Sequence, residues 1–203
     1  MSARGGRAAL AGAVALASAL ALTGCQSATS GLVDDYNSGD LGGDYISGDG
    51  AVRTISPENR EAATDWSGPS TDGGEISSAE LRGEVVVLNF WYASCPPCRA
   101  EAADLEALHQ QFAGDEVAFV GVNVTDAVDT ARAFNEEHGV TYPSILDAAS
   151  NDVLLAFSGA VSANAVPTTL ILDREGRVAA RFSGLITSPS LVADLVEQTL
   201  GES

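Results

Sequence analysis

A chain of 203 residues is long enough for one ordinary domain plus appendages, and at that size a hydrophobic core needs no covalent staple. Its 28 acids outnumber 10 bases for a net charge of −18, and every base is an arginine. This balance argues against nucleic-acid binding, which depends on a basic face that neutralises phosphates, and otherwise describes a solvated acidic exterior.

The first predicted element is an export signal over residues 1–24. Arg4 and Arg7 form a positive start, and Ala8 to Leu22 make an alanine-rich apolar run too short for a comfortable membrane span. The run ends in Leu22-Thr23-Gly24-Cys25. This resembles the lipobox of bacterial lipoproteins, in which an aliphatic residue, a small residue and glycine precede a cysteine that takes lipid. The resemblance implies cleavage before Cys25, lipid on Cys25 and an anchor at the outer face of the cytoplasmic membrane. Losing Arg4 and Arg7 would leave 8 bases against 28 acids, a net charge of −20. Residues 25–50 are rich in Ser, Gly and Asp without sustained period, as expected of a flexible acidic tether.

The remaining residues, 51–203, carry the pattern of a folded domain. Ala51 to Ile55 predicts a short strand, and "TDGGEISSAELRGE" predicts turns around a brief extended piece and one helical turn. Glu84 to Tyr92, "EVVVLNFWY", is an almost continuous apolar run, the mark of a strand covered on both faces. Pro96 to about Phe112 is helical by pattern, with Leu105, Leu108 and Phe112 on one face and the acids Glu101, Asp104 and Glu106 early, near the positive helix end. Val117 to Val124 predicts a second buried strand. Ala127 to His138 predicts a helix stopped by Gly139.

A short helix is expected over about Asn151 to Phe157, then a strand over Val166 to Asp173 introduced by proline. "DREG" turns that strand into the hairpin partner "RVAARFSG". Ser188 as N-cap and Pro189 open a last amphipathic helix, closed by Gly201. The order predicts a three-layer α/β fold with a mixed central sheet.

Cys95 and Cys98 are the chemical feature of this chain. With Cys25 assigned to lipid they are the only remaining pair, in a compartment where a dithiol and its disulfide can exchange. A structural disulfide across two residues would close a very small loop and gain little chain entropy. A zinc half-site would need a second CxxC or well-spaced histidines, and only the isolated His109 and His138 remain, both expected at the surface near helix ends. The third reading is a reactive dithiol. At the start of a helix, unpaired N–H groups and the dipole favour the Cys95 thiolate, and Cys98 one turn on can resolve a mixed disulfide. Pro96 and Pro97 stiffen the spacer where proline removes no helical hydrogen bond.

"VVLNFWYASCPPCRAE", followed about 70 residues later by "VPTTLILDREGRV", resembles the thioredoxin fold. Within it, the residues are similar to the membrane-anchored TlpA/ResA-like thiol–disulfide oxidoreductases of cytochrome c biogenesis. The resemblance implies that Cys95 is an exposed nucleophile and Cys98 a buried resolving thiol, cycling through a Cys95–Cys98 disulfide. It makes Pro167 a cis-proline facing the pair, so that the Val166 backbone, with Pro96 and Pro97, meets an extended substrate strand. Glu101 matches the active-site acid of this branch. The implied partners are protein thiols and disulfides, with haem-binding apocytochrome c among possible clients, and a transmembrane thiol donor; no cofactor is implied.

Three positions depart from the wider pattern: Asn89 stands where thioredoxin has a buried acid, Ser94 replaces a common tryptophan, and Ala103 a common proline. Two other functions stay open, a disulfide-forming oxidant and a copper-binding module on the same fold. Copper carriers of this fold typically use CxxxC with a distant histidine, and the PxxxTxxC pattern of peroxiredoxins is absent around Cys95.

Overall fold

The computed structural model describes residues 51–162 and 165–202. Cys25 and the expected signal and tether, residues 1–24 and 25–50, lie outside the described residues. Strands are β1 (Val52–Thr54), β2 (Ser67–Pro69), β3 (Glu75–Ser77), β4 (Val85–Trp91), β5 (Val117–Asn123), β6 (Ser144–Leu146), β7 (Thr168–Leu172) and β8 (Val178–Ser183). Helices are α1 (Pro96–Gln111), α2 (Val128–His138), α3 (Asp152–Ala156) and α4 (Pro189–Leu200), with a 3₁₀ turn at Pro57–Asn59.

Six strands form the central sheet in the order β1-β8-β7-β4-β5-β6, and β2 pairs with β3 in a separate ribbon. β4, β5 and β6 are parallel, whereas β7, β8 and β1 each run antiparallel to the neighbour before them. Because β4, β5 and β6 step in one direction, right-handed crossovers place α1 and α2 on the same face. There α1 packs against both α2 and α4. The opposite face is covered by α3 and the β2–β3 ribbon, where Trp66, Val153 and Phe157 close over Val86, Leu88, Phe90, Val120, Val122 and Leu170. The expected three-layer mixed-sheet architecture is therefore present. Every residue of β4 is buried, as its unbroken apolar run requires.

Some elements differ from expectation. β6 was not predicted, since three residues after a proline are too few to show a period. β2 is the sequence Ser-Gly-Pro, composition that argues for a turn; its glycine is needed because a Cβ on Gly68 would collide with Ile145. Gly139 stops α2 in the left-handed region at φ 69°, as expected. Ser188 occupies the N-cap of α4 yet makes no capping bond; its hydroxyl lies 3.2 Å from that of Ser190. The histidines are half-buried rather than at the surface: the His109 ring sits 5.5 Å from Phe119, and His138 lies 4.5 Å from Phe134.

Candidate active site

β4 delivers the chain to the CxxC segment, and the turn that follows is held from β5. Asn123 at the end of β5 accepts the N–H groups of Thr125 and Asp126 on its side-chain oxygen, at 3.2 and 2.7 Å. Asp126 then accepts the Ala93 N–H at 2.6 Å and the Asn123 amide at 2.8 Å. Backbone groups of a loop that would otherwise be free to move are thus tied to the sheet two residues before Cys95. Asn123 and Asp126 were not singled out in the sequence, although Asn-x-x-Asp after a strand is the composition of such a side-chain turn.

Cys95 is the N-cap of α1. Its sulfur accepts the Cys98 N–H at 3.2 Å and is bonded to the Cys98 sulfur, with 5.3 Å between the Cα atoms. Pro96 and Pro97 occupy the first two helical positions, where their missing N–H groups cost nothing. Both cysteines pack with Trp91, Ala102, Ala131 and Phe134, and Trp91 stacks 4.3 Å from Phe134.

Cys95 departs from the exposed nucleophile that the resemblance implies. It is not exposed; it retains 1% of its surface, about as little as Cys98. The disulfide holds its sulfur on Cys98 within the cluster that includes Trp91 and Phe134, and Tyr92, Ala93 and Val166 pack against that cluster. Ser94 and Pro96 are the exposed residues of the segment.

The Val166–Pro167 bond is cis, and Val166 packs against the cysteine cluster, so the two segments separated by about 70 residues do meet. The Pro167 carbonyl accepts the Gly184 N–H at 2.8 Å, which draws the loop after β8 alongside. That loop carries Leu185, 43% exposed, and Ile186, which is buried. Leu185 had no signal in the sequence, because only the pairing of β7 with β8 brings it beside Pro167.

Glu101 also differs from its reading as an early helix acid. No acid occupies the first turn of α1. Glu101 points into the interior and keeps 1% of its surface. Its carboxylate accepts the Asn89 amide at 3.0 Å on one oxygen and the Ile186 N–H at 3.1 Å on the other. Asn89 donates to Thr169 as well, also at 3.0 Å, joining β4, α1 and β7 through one side chain. Burial raises the Glu101 carboxyl to about 7; the Ile186 and Asn89 hydrogen bonds oppose the rise and Asp104 adds to it. The interior carboxylate absent at position 89 is therefore supplied from the helix, and Asn89 serves as its donor.

A dithiol at a helix start, a cis-proline loop against it and a neighbouring buried acid that titrates near neutrality can exchange thiols for disulfides. Fold and site together define a thioredoxin-like thiol–disulfide oxidoreductase. The chain belongs to the AhpC/TSA family, whose model matches residues 60–181. It is 32% identical over 124 residues to the thiol-disulfide oxidoreductase ResA of Bacillus subtilis, covering 61% of this chain and 66% of that one. The ResA of Halalkalibacterium halodurans is 28% identical over 126 residues, 62% of this chain and 68% of the relative. The chain thus spans about two thirds of the length of these curated relatives. A secreted thiol-disulfide isomerase from Corynebacterium glutamicum superposes with a TM-score of 0.69 at 30% identity, over 79% of this chain and 98% of that one.

Proposed function

We propose that this oxidoreductase works outside the cytoplasm, anchored by lipid on Cys25, and reduces disulfides of exported proteins. In this reading residues 1–24 are removed as a lipoprotein signal and residues 25–50 hold the domain off the membrane. No described helix is long and apolar enough to cross a membrane. The Cys95 thiolate attacks one sulfur of a client disulfide, and the other leaves as a thiol after taking a proton. The Cys98 thiolate then attacks Cys95, releasing the second client thiol and closing the Cys95–Cys98 disulfide. Two electrons pass to the client, and a transmembrane thiol donor returns them to the enzyme. The haem-binding CxxCH of an apocytochrome c is the proposed client.

The observation that carries this reading is the buried Glu101, which has only neutral donors and sits three residues after Cys98. A carboxyl poised near 7 can take the Cys98 proton as that thiol becomes a nucleophile and return it to the departing client sulfur. Val166, Pro96 and Pro97 are proposed to line the client strand, and the exposed Leu185 beside Pro167 extends that surface.

The test is a Cys98→Ser variant, which halts exchange at the mixed disulfide. It should accumulate client proteins on Cys95 that dithiothreitol releases, and identifying them names the substrates. A variant that traps nothing in cells removes the proposal. Direction follows from reduction potential, where about 30 mV corresponds to roughly 1.4 kcal/mol for a two-electron couple. Equilibration with glutathione should give a reducing potential; a value close to those of strong oxidants would reassign the protein as a disulfide-forming enzyme.

A further inference from the structure

The far edge of the sheet holds a charge arrangement that the redox chemistry does not use. On β8, Arg181 pairs with Leu170 of β7 on one side and with Arg53 of β1 on the other. Residues paired across antiparallel strands leave the same face of a sheet, and Leu170 lies in the core beneath α3. The row therefore runs from a fully buried leucine to two guanidinium groups set side by side. Like charges directly opposite one another destabilise a strand pair.

Among the described residues no carboxylate pairs with either of them. The ion pairs among the described residues involve Arg60, Arg82, Arg99, Arg174 and Arg177, and neither Arg53 nor Arg181. The Nε atoms of both Arg53 and Arg181 are buried without a hydrogen-bond partner, a costly state for a charged donor. Arg181 has one long bond, from Nη1 to the Ala160 carbonyl at 3.4 Å. In a chain with a net charge of −18, two unmatched cations on one strand pair are out of keeping with the rest of the surface.

Both line a cavity of about 150 Å³, walled on its apolar side by Ile55, Phe157, Ala160 and Val178. An engineered apolar cavity of about that volume binds benzene. Glu61 is the single acid in the lining; it is exposed. Arg177 also borders the cavity, but Asp173 and Glu175 already hold it. None of the lining residues belongs to the Cys95–Cys98 site.

We infer that this cavity is a binding site for an organic carboxylate, with the carboxylate bridging Arg53 and Arg181 and a small hydrocarbon body against Phe157 and Val178. A guanidinium fork matches a carboxylate in two parallel hydrogen bonds, and two forks in register supply the buried donors that lack acceptors. The apolar wall favours an acid with a carbon skeleton over inorganic phosphate. The same chemistry comes from a free small acid or from the C-terminal residue of a peptide.

Benzoate titrated calorimetrically into the full chain tests the site, with benzamide and inorganic phosphate as controls. Saturable one-to-one binding is expected for benzoate and not for benzamide, weakened by salt and by about tenfold or more in R53Q and in R181Q. A short peptide ending in a free phenylalanine carboxylate identifies a protein source if it binds more tightly than benzoate and its C-terminal amide does not bind. The wild-type melting midpoint should also rise with benzoate, a reading that needs no variant to fold. Phosphate binding without benzoate binding, affinity unchanged in both variants, or no saturable carboxylate binding at all would overturn the assignment.

Discussion

Glu101 and Asp173 are withdrawn from solvent to nearly the same degree, at 1% and 3% exposure, and the protein surrounds them differently. Asp173, just after β7, accepts Arg60 at 3.0 Å and Arg177 at 2.8 Å, together with the N–H groups of Glu175 and Arg177. Arg60 also grips Glu202, so the segment after β1 is tied to the end of α4. Glu101 has two neutral donors and, among the described residues, no cation paired with it. Burial penalises the charged form in either place; facing guanidinium groups make one carboxylate a structural tie, and their absence lets the other titrate near neutrality. Burial of an acid is therefore not by itself a mark of function, and the partner decides.

This contrast can be broken at four points. The largest effect is expected from Asp173→Ala, which leaves the nearly buried Arg60 with Glu202 as its one remaining carboxylate. Unfolding in urea should show a loss of about 3–5 kcal/mol; a loss below about 1 kcal/mol would mean that the tie is not structural. Glu101 acts in the opposite sense. Its folded carboxyl, at about 7, lies above the usual 4.5, so the native state binds the extra proton between those values. Stability present below pH 4.5 should then decline by about 3 kcal/mol as pH rises to 7, and Glu101→Gln should flatten that slope. An unchanged slope in the variant assigns the titration to another group.

Asn89→Ala removes one of the two hydrogen bonds that hold the Glu101 charge. The acid limb of the rate–pH profile should move up by about one pH unit, and a downward movement would contradict the role given to Asn89. Arg99→Gln gives the smallest change. It breaks an ion pair with Glu137 at 2.7 Å in which both side chains are partly exposed, and the melting midpoint should register less than about 1 kcal/mol. A loss comparable to that of Asp173→Ala would erase the distinction between paired charges inside and outside.

Much of the fold was legible because its elements announce themselves locally. The seven apolar residues of β4, the proline start of α1 and Gly139 after α2 depend on near neighbours in the chain. β6 was not legible, since Ser144 is held in its strand by pairing with Gly121 of β5, far along the chain, and β2 was not, since Ser-Gly-Pro reads as a turn although Gly68 pairs with Ile76 of β3. The site divides in the same way. Cys95, Cys98 and Pro167 stand in motifs with their own spacing, whereas Leu185 and the donors to Glu101 do not.

What the residues determined alone is the dithiol, its position at a helix start and the likeness that pairs it with Val166-Pro167, because helix caps, spacing and turn chemistry are short-range. What the tertiary structure decided is the state of each buried charge. Glu101, Asp173, Arg53 and Arg181 look alike as surface letters. The sheet and the helices packed on it give Glu101 two neutral donors and Asp173 two guanidinium groups, and they set Arg53 opposite Arg181 with no carboxylate partner for either among the described residues. Desolvation and the charge of the nearest partner set the energy of an ion, and both are properties of three-dimensional contact.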